Sequence, residues 1–194
     1  MRKLFLIKIV HTTADMGSVG QELIKEGMAK LGNEKWIENQ RLIENFWNEL
    51  ETEIDALGLD YSMIRIYQDG LPCDGEMGLR IVRKTAEKGS RNYQIIRNLV
   101  ERGAAIEATE SPDLLRKEYE HIKAIISAET PDEKTVVTRR YEQVKDELIQ
   151  ERDAYIANAI DATLGTNETG LLFIGVAHNV MPLLAKDIEV TNLD

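Results

Sequence analysis

The sequence predicts an α/β protein built on a mostly parallel four-stranded sheet with long flanking helices. Two observations carry this expectation. Four short apolar runs are bounded by turn residues, as buried strands are, and long amphipathic stretches separate them. A helix placed between two strands acts as a crossover, and crossovers return the chain parallel to itself.

The first run, Leu4 to Val10, is followed by the second, Met63 to Tyr67, which is closed by Asp69-Gly70 and Pro72. Gly103 to Ile106 is the third and the shortest. Leu171 to Val176 is the fourth, entered through the turn-like stretch Gly165 to Gly170. Between the first two runs, Trp36, Ile43, Trp47, Leu50, Ile54 and Leu57 recur at helical spacing, marking one long helix over 34–57. Shorter helices are expected over 77–87 and 92–102, parted by Gly89-Ser90. Ser111-Pro112 and Thr130-Pro131 each read as a helix start, with the hydroxyl residue as N-cap and proline at the first helical position. The second of these opens a polar helix running to about Leu164, whose last part gains a packing face from Ala154, Tyr155, Ala157, Ala159, Ile160 and Leu164.

The chain of 194 residues suits one α/β domain over 1–194, with a helical extension around 112–164. Helices longer than the crossovers require are expected to form a lid or a homo-oligomer interface. A composition of 43% hydrophobic and 30% charged residues is that of a globular protein able to bury a core without staples. The run Leu4 to Val10 contains Lys8 and ends without a small-residue cleavage site, so it is read as a strand and not as a signal peptide. With a single cysteine, Cys73, and no long apolar segment, the expected place is the cytoplasm and no membrane partner is expected. A formal net charge of −10, with basic residues interleaved among acids, argues against nucleic acid.

In an open parallel sheet, ligands bind beyond the carboxyl ends of the strands. There the sequence places His11, Asp15 and Ser18 after the first run and Asp69 after the second. Glu107, Thr109 and Glu110 follow the third, and His178 and Asn179 the fourth. Two imidazoles with carboxylates can hold a divalent transition metal, which makes His11, His178, Glu107 and Glu110 the candidate ligands. The same groups, with Asp69, can instead serve as general acid and base without a metal. Asp15, Ser18, Thr109 and Asn179 are candidates for contacting a bound ligand. Plainer readings stand beside these. The histidines can be hydrogen-bonded residues at strand ends, Asp69-Gly70 a turn, and Ser18 a helix cap. Glu107 and Glu110 can complement a helix dipole.

Glu151-Arg152-Asp153 in a late helix, followed by an apolar strand ending Gly175-Val176-Ala177-His178, resembles the TraB-like and Tiki-like proteins. That superfamily also takes in ChaN-type haem-binding proteins and erythromycin-esterase-like enzymes. Its pattern has an early and a late Gly-x-x-His, acidic residues after the second strand, and a Glu-Arg-Asn or Glu-Arg-Asp helix motif. The resemblance puts His11 in the place of the early histidine, with Lys8 where the pattern has glycine, and Asp69 nearest the early acids. The middle of the chain has no counterpart in that pattern, and in this respect the chain looks like a small prokaryotic group of its own. The resemblance implies metal-assisted hydrolysis, with Arg152 steadying a carboxylate or an oxyanion. The leading expectation is thus a metal-dependent hydrolase acting on a small-molecule or peptide substrate. The alternatives are a non-catalytic binder of a haem-like or nucleotide-like ligand, and a structural oligomer.

Overall fold

The computed structural model describes residues 1–9, 29 and 32–193. His11, Asp15 and Ser18, singled out above, lie outside the described residues. The protein is a mixed α/β fold around a parallel sheet. Strands β1 (Arg2–Ile9), β2 (Ile64–Gln68), β3 (Ala105–Glu107), β4 (Thr169–Gly175) and β5 (Ile188–Leu193) form one five-stranded sheet in the order β3-β2-β4-β1-β5. Every pairing is parallel. The sheet therefore has one strand more than the four apolar runs announce. The added strand, β5, sits at the edge and buries mainly Ile188, while Glu189, Thr191 and Asn192 face outward. An edge strand packs on one side only, so it carries no continuous apolar run.

Side chains alternate across the strands and divide the core in two. Ile7, Ile9, Ile64, Ile66, Leu171 and Phe173 face one layer of helices. That layer consists of α1 (Asn33–Ala56), α2 (Gly75–Glu87) and α3 (Arg91–Glu101), which contribute Trp47, Leu50, Val82, Ile96 and Leu99. Leu4, Leu6, Tyr67, Leu172 and Ile174 face the other side, where Ile156 and Ile160 cover them. This period of two on strands covered on both faces explains why the sequence runs are apolar throughout. Only the C-terminal half of the stripe on α1 is buried, through Trp47, Leu50 and Ile54.

The remaining helices form a hairpin, α4 (Pro112–Ile126) and α5 (Pro131–Thr163). Both starts are capped as expected: Ser111 accepts from Leu114 N, and Thr130 forms a reciprocal capping box with Glu133. On α5 the buried residues are Leu148, Arg152, Asp153, Ile156, Ala157 and Ile160. A stripe at this spacing faces the sheet, and it brings two charged residues with it. No helix among the described residues is long and apolar enough to cross a membrane.

Register brings the carboxyl ends of the strands together. Ile9 lies opposite Gly175, Gln68 opposite Phe173, and Tyr67 opposite Glu107. The segments leaving β2, β3 and β4 therefore emerge along one sheet edge. They are stitched there by Asp69 N donating to Phe173 O and by the amides of Thr109 and Glu110 donating to Leu71 O.

Helix α2 approaches this edge closely because Gly78 has no side chain. A Cβ there would lie 2.4 Å from the Cys73 carbonyl oxygen and 2.7 Å from Ile106 Cδ1. Gly78→Ala is expected to destabilise the protein by about 1–3 kcal/mol, since backbone must move to admit the methyl group. Urea unfolding monitored by circular dichroism measures this, and an unchanged midpoint would refute it.

Candidate functional site

The stripe on α5 places Arg152 over the strand ends, with its side chain almost wholly buried. A buried guanidinium needs compensating anions, and three carboxylates from separate elements supply them. Arg152 Nη2 donates to Asp69 Oδ1 at 2.7 Å and to Glu110 Oε1 at 2.5 Å. Its Nε lies 3.2 Å from both oxygens of Glu110, and Nη1 donates to Glu118 of α4. Burial alone would disfavour the charge, but Glu110, Asp69 and Glu118 outweigh it and hold the arginine above its ordinary pKa.

The next residue, Asp153, serves the other half of the site. Its Oδ1 lies 2.6 Å from His178 Nδ1, and its Oδ2 accepts from Asn179 N at 2.9 Å. His178 stands on a tight turn after β4, in which its amide donates to Gly175 O. A carboxylate beside Nδ1 fixes the tautomer with the proton on that nitrogen. The remaining ring nitrogen, Nε2, then faces Asp69 Oδ2 across 3.6 Å. Asp69 Oδ2 also accepts from Gly175 N at 3.0 Å.

Among the described residues, Asp69, Glu110 and His178 form a buried group able to hold a metal ion. One donor atom from each lies within 4.8 Å of the other two. Three carboxylates (Asp69, Glu110 and Glu118) bond the one guanidinium and a fourth, Asp153, bonds His178, so the cluster carries an excess of acceptors. Glu110 shows the strain of this arrangement. Burial pushes its pKa up to about 7, with Arg152 opposing the rise and Asp69 adding to it.

A cleft of about 470 Å³ opens beside the cluster, floored by Gln68, Asp69, Gly175 and His178 and roofed by the hairpin. Ile122 and Ile149 make the roof apolar, and Tyr141 contributes a hydroxyl. The Tyr141 hydroxyl donates to Glu118 Oε1, and burial raises its pKa to about 12 with help from Glu118.

Of the residues singled out from sequence, Asp69, Glu110, Arg152 and His178 converge. Glu107 does not join them. Its Oε1 accepts from Arg65 Nη1 at 2.6 Å, in a bridge that Glu168 completes from the residue before β4. Thr109 is consumed by the fold: its hydroxyl accepts from Gln68 N and donates to Glu107 O. Asn179 contributes its backbone amide to Asp153. Asp153 was named only within the Glu151-Arg152-Asp153 motif, without a role of its own, and Glu118 was not singled out. Asp153 carries a legible signal, because it shares the apolar stripe with Ile156, Ala157 and Ile160. Glu118 carries none, since its partner lies across the hairpin. Comparison of the chain with protein-family models, with curated proteins and with solved structures gives no match.

Two outcomes follow from the cluster. Arg152→Met leaves its carboxylate partners buried without their cation and is expected to cost about 3–5 kcal/mol, less at acid pH, where they can protonate. Urea midpoints at pH 5 and pH 8 test this, and a variant as stable as wild type at pH 8 would refute it. For Glu110, the folded state keeps its proton to about pH 7 while the unfolded chain releases it near 4.5, so its contribution to stability falls as pH rises across that window. Glu110→Gln is expected to flatten that decline in buffer containing a chelator. An unchanged pH slope would count against a buried, proton-holding Glu110.

Proposed function

We propose that this cleft is the active site of a cytoplasmic metal-dependent hydrolase acting on a small-molecule or peptide substrate. Asp69, Glu110 and His178 would hold a divalent transition ion. The observation that carries the reading is the pair of acceptors facing each other across 3.6 Å. With its proton directed at Asp153, His178 turns the lone pair of Nε2 toward Asp69 Oδ2. Two acceptors at that separation repel unless a cation or a proton lies between them. The donor set of one imidazole nitrogen and two carboxylates suits zinc, manganese or iron. The spread of the three donors, 4.8 Å at most, requires only a small inward shift to surround one ion.

The surroundings fit as well. A metal-ligating histidine ordinarily gives its other nitrogen to a carboxylate, which fixes the ring and raises its basicity, and Asp153 stands in that position. Arg152 orients the carboxylates of Asp69 and Glu110 and is within reach of the cleft, where it can steady developing negative charge on a substrate oxygen. Tyr141 and the apolar roof would exclude water from the bound substrate and hold its uncharged portions. A divalent ion in this place supplies Lewis acidity for attack on a carbonyl or related centre. The resemblance to TraB-like and Tiki-like proteins, through Glu151 to Asp153 and Gly175 to His178, supports the same reading.

One observation favours a metal-free variant of this site. Arg152 already bonds to both Asp69 and Glu110, so part of the charge an ion would supply is present. A proton between His178 and Asp69 would then make His178 a general acid.

The experiment is metal analysis and calorimetric titration of untagged protein with manganese, zinc and iron(II), beside three variants. Wild type is expected to take up close to one equivalent of ion. His178→Ala and Asp69→Asn are expected to abolish uptake, and Asp153→Asn to weaken it by about 10- to 100-fold. Wild-type protein that takes up none of the three ions would remove the metal reading in favour of the metal-free site.

A further inference from the structure

Lys8 stands near the end of β1, beside the turn that carries His178. Lys8 lies opposite Ile174 in the register of β1 and β4, one residue before the strand ends. Its ammonium donates to the carbonyl oxygen of His178 at 2.6 Å. Burial lowers its pKa, while Asp153 and Asp69, both within electrostatic reach, favour its charge. Those two aspartates are the groups facing the two ring nitrogens of His178.

His178 sits on a short turn whose preceding residues, Val176 and Ala177, are exposed. Its backbone is held by its own amide on Gly175 O, by Asn179 N on Asp153, and by Lys8 on its carbonyl. Lys8 supplies the hold that comes from the neighbouring strand. It also places positive charge on the side of the cluster that Arg152 does not bond, since Arg152 donates to Asp69, Glu110 and Glu118 but not to Asp153. A carbonyl at a partly exposed turn can be satisfied by water, so a half-buried lysine is a costly way to satisfy it.

We propose that Lys8 is a positioning residue: through the His178 carbonyl and the field on Asp153, it fixes the orientation and tautomer of the His178 ring. The proposal rests on the reading that His178 is the working imidazole of the cleft, but it holds with or without a metal.

The test uses the full chain with Lys8→Met, Lys8→Gln and Lys8→Arg, each checked for folding by circular dichroism. The first readout is the long-range proton–nitrogen NMR spectrum of the histidine rings in metal-free protein, with His178→Ala to assign the signal. Wild type is expected to show a single His178 form protonated at Nδ1. Lys8→Met and Lys8→Gln are expected to show a mixture of tautomers, with Lys8→Arg restoring the single form. The second readout is manganese affinity, expected to fall about tenfold in Lys8→Met and to recover in Lys8→Arg. A wild-type His178 spectrum in Lys8→Gln, which removes the charge and shortens the side chain by one bond, together with the same spectrum in Lys8→Met would overturn the proposal. Should Lys8→Met fail to fold, the spectrum of Lys8→Gln decides alone. Absence of manganese binding in wild type, with the tautomer still shifted in the variants, would overturn the metal reading and leave the role of Lys8 in place.

Discussion

A guanidinium removed from water is the constraint around which this molecule is arranged. Arg152 is buried on the face of α5 that packs on the sheet, and its partners arrive from three other places: Asp69 after β2, Glu110 after β3, and Glu118 from α4. Asp69 and Glu110 reach the strand ends through the topology and Glu118 through the hairpin, and together they neutralise that charge. Buried ion clusters of this kind cost more in lost hydration than apolar packing would, so they are poor devices for stability alone. Here the cluster borders a cleft.

The adjacency of Arg152 and Asp153 organises the site further. Consecutive residues on a helix point about 100° apart, so neighbouring side chains can serve two different groups of partners. Arg152 turns to the acids following β2 and β3, and Asp153 turns to the histidine following β4. Asp69 closes the circuit by touching both, with one oxygen on Arg152 and the other on Gly175 N, facing His178. A single dipeptide in one turn of helix thus ties together the ends of three strands.

Much of this was legible before the structure. The apolar runs located four strands because strands covered on both faces must be apolar throughout, and Ser111-Pro112 and Thr130-Pro131 marked the helix starts through cap chemistry that is local to each. β5 escaped because an edge strand needs only Ile188 inside. The strand-end rule reached Asp69, Glu110 and His178, since parallel topology alone brings such positions together. It could not separate Glu110 from Glu107, whose fate depends on Arg65, a residue on another strand. Glu118 was out of reach for the same reason, because its role is decided across a hairpin. Asp153 was within reach: a carboxylate spaced to fall on a core stripe has to be answered by something buried.

The sheet order has a bearing on how the protein comes into being. Among the described residues, β1 hydrogen-bonds only to β4 and β5, which lie in the last part of the chain, while β2 and β3 pair with each other. As the nascent chain emerges, β2 and β3 can associate early, but β1 must wait until Thr169–Gly175 has been synthesised. Such sequence-distant pairing is slow, and an unpaired apolar strand is prone to aggregate while it waits. The central position of β4 therefore makes completion of the sheet and assembly of the His178 site a single late event, and a chain interrupted before that strand has neither.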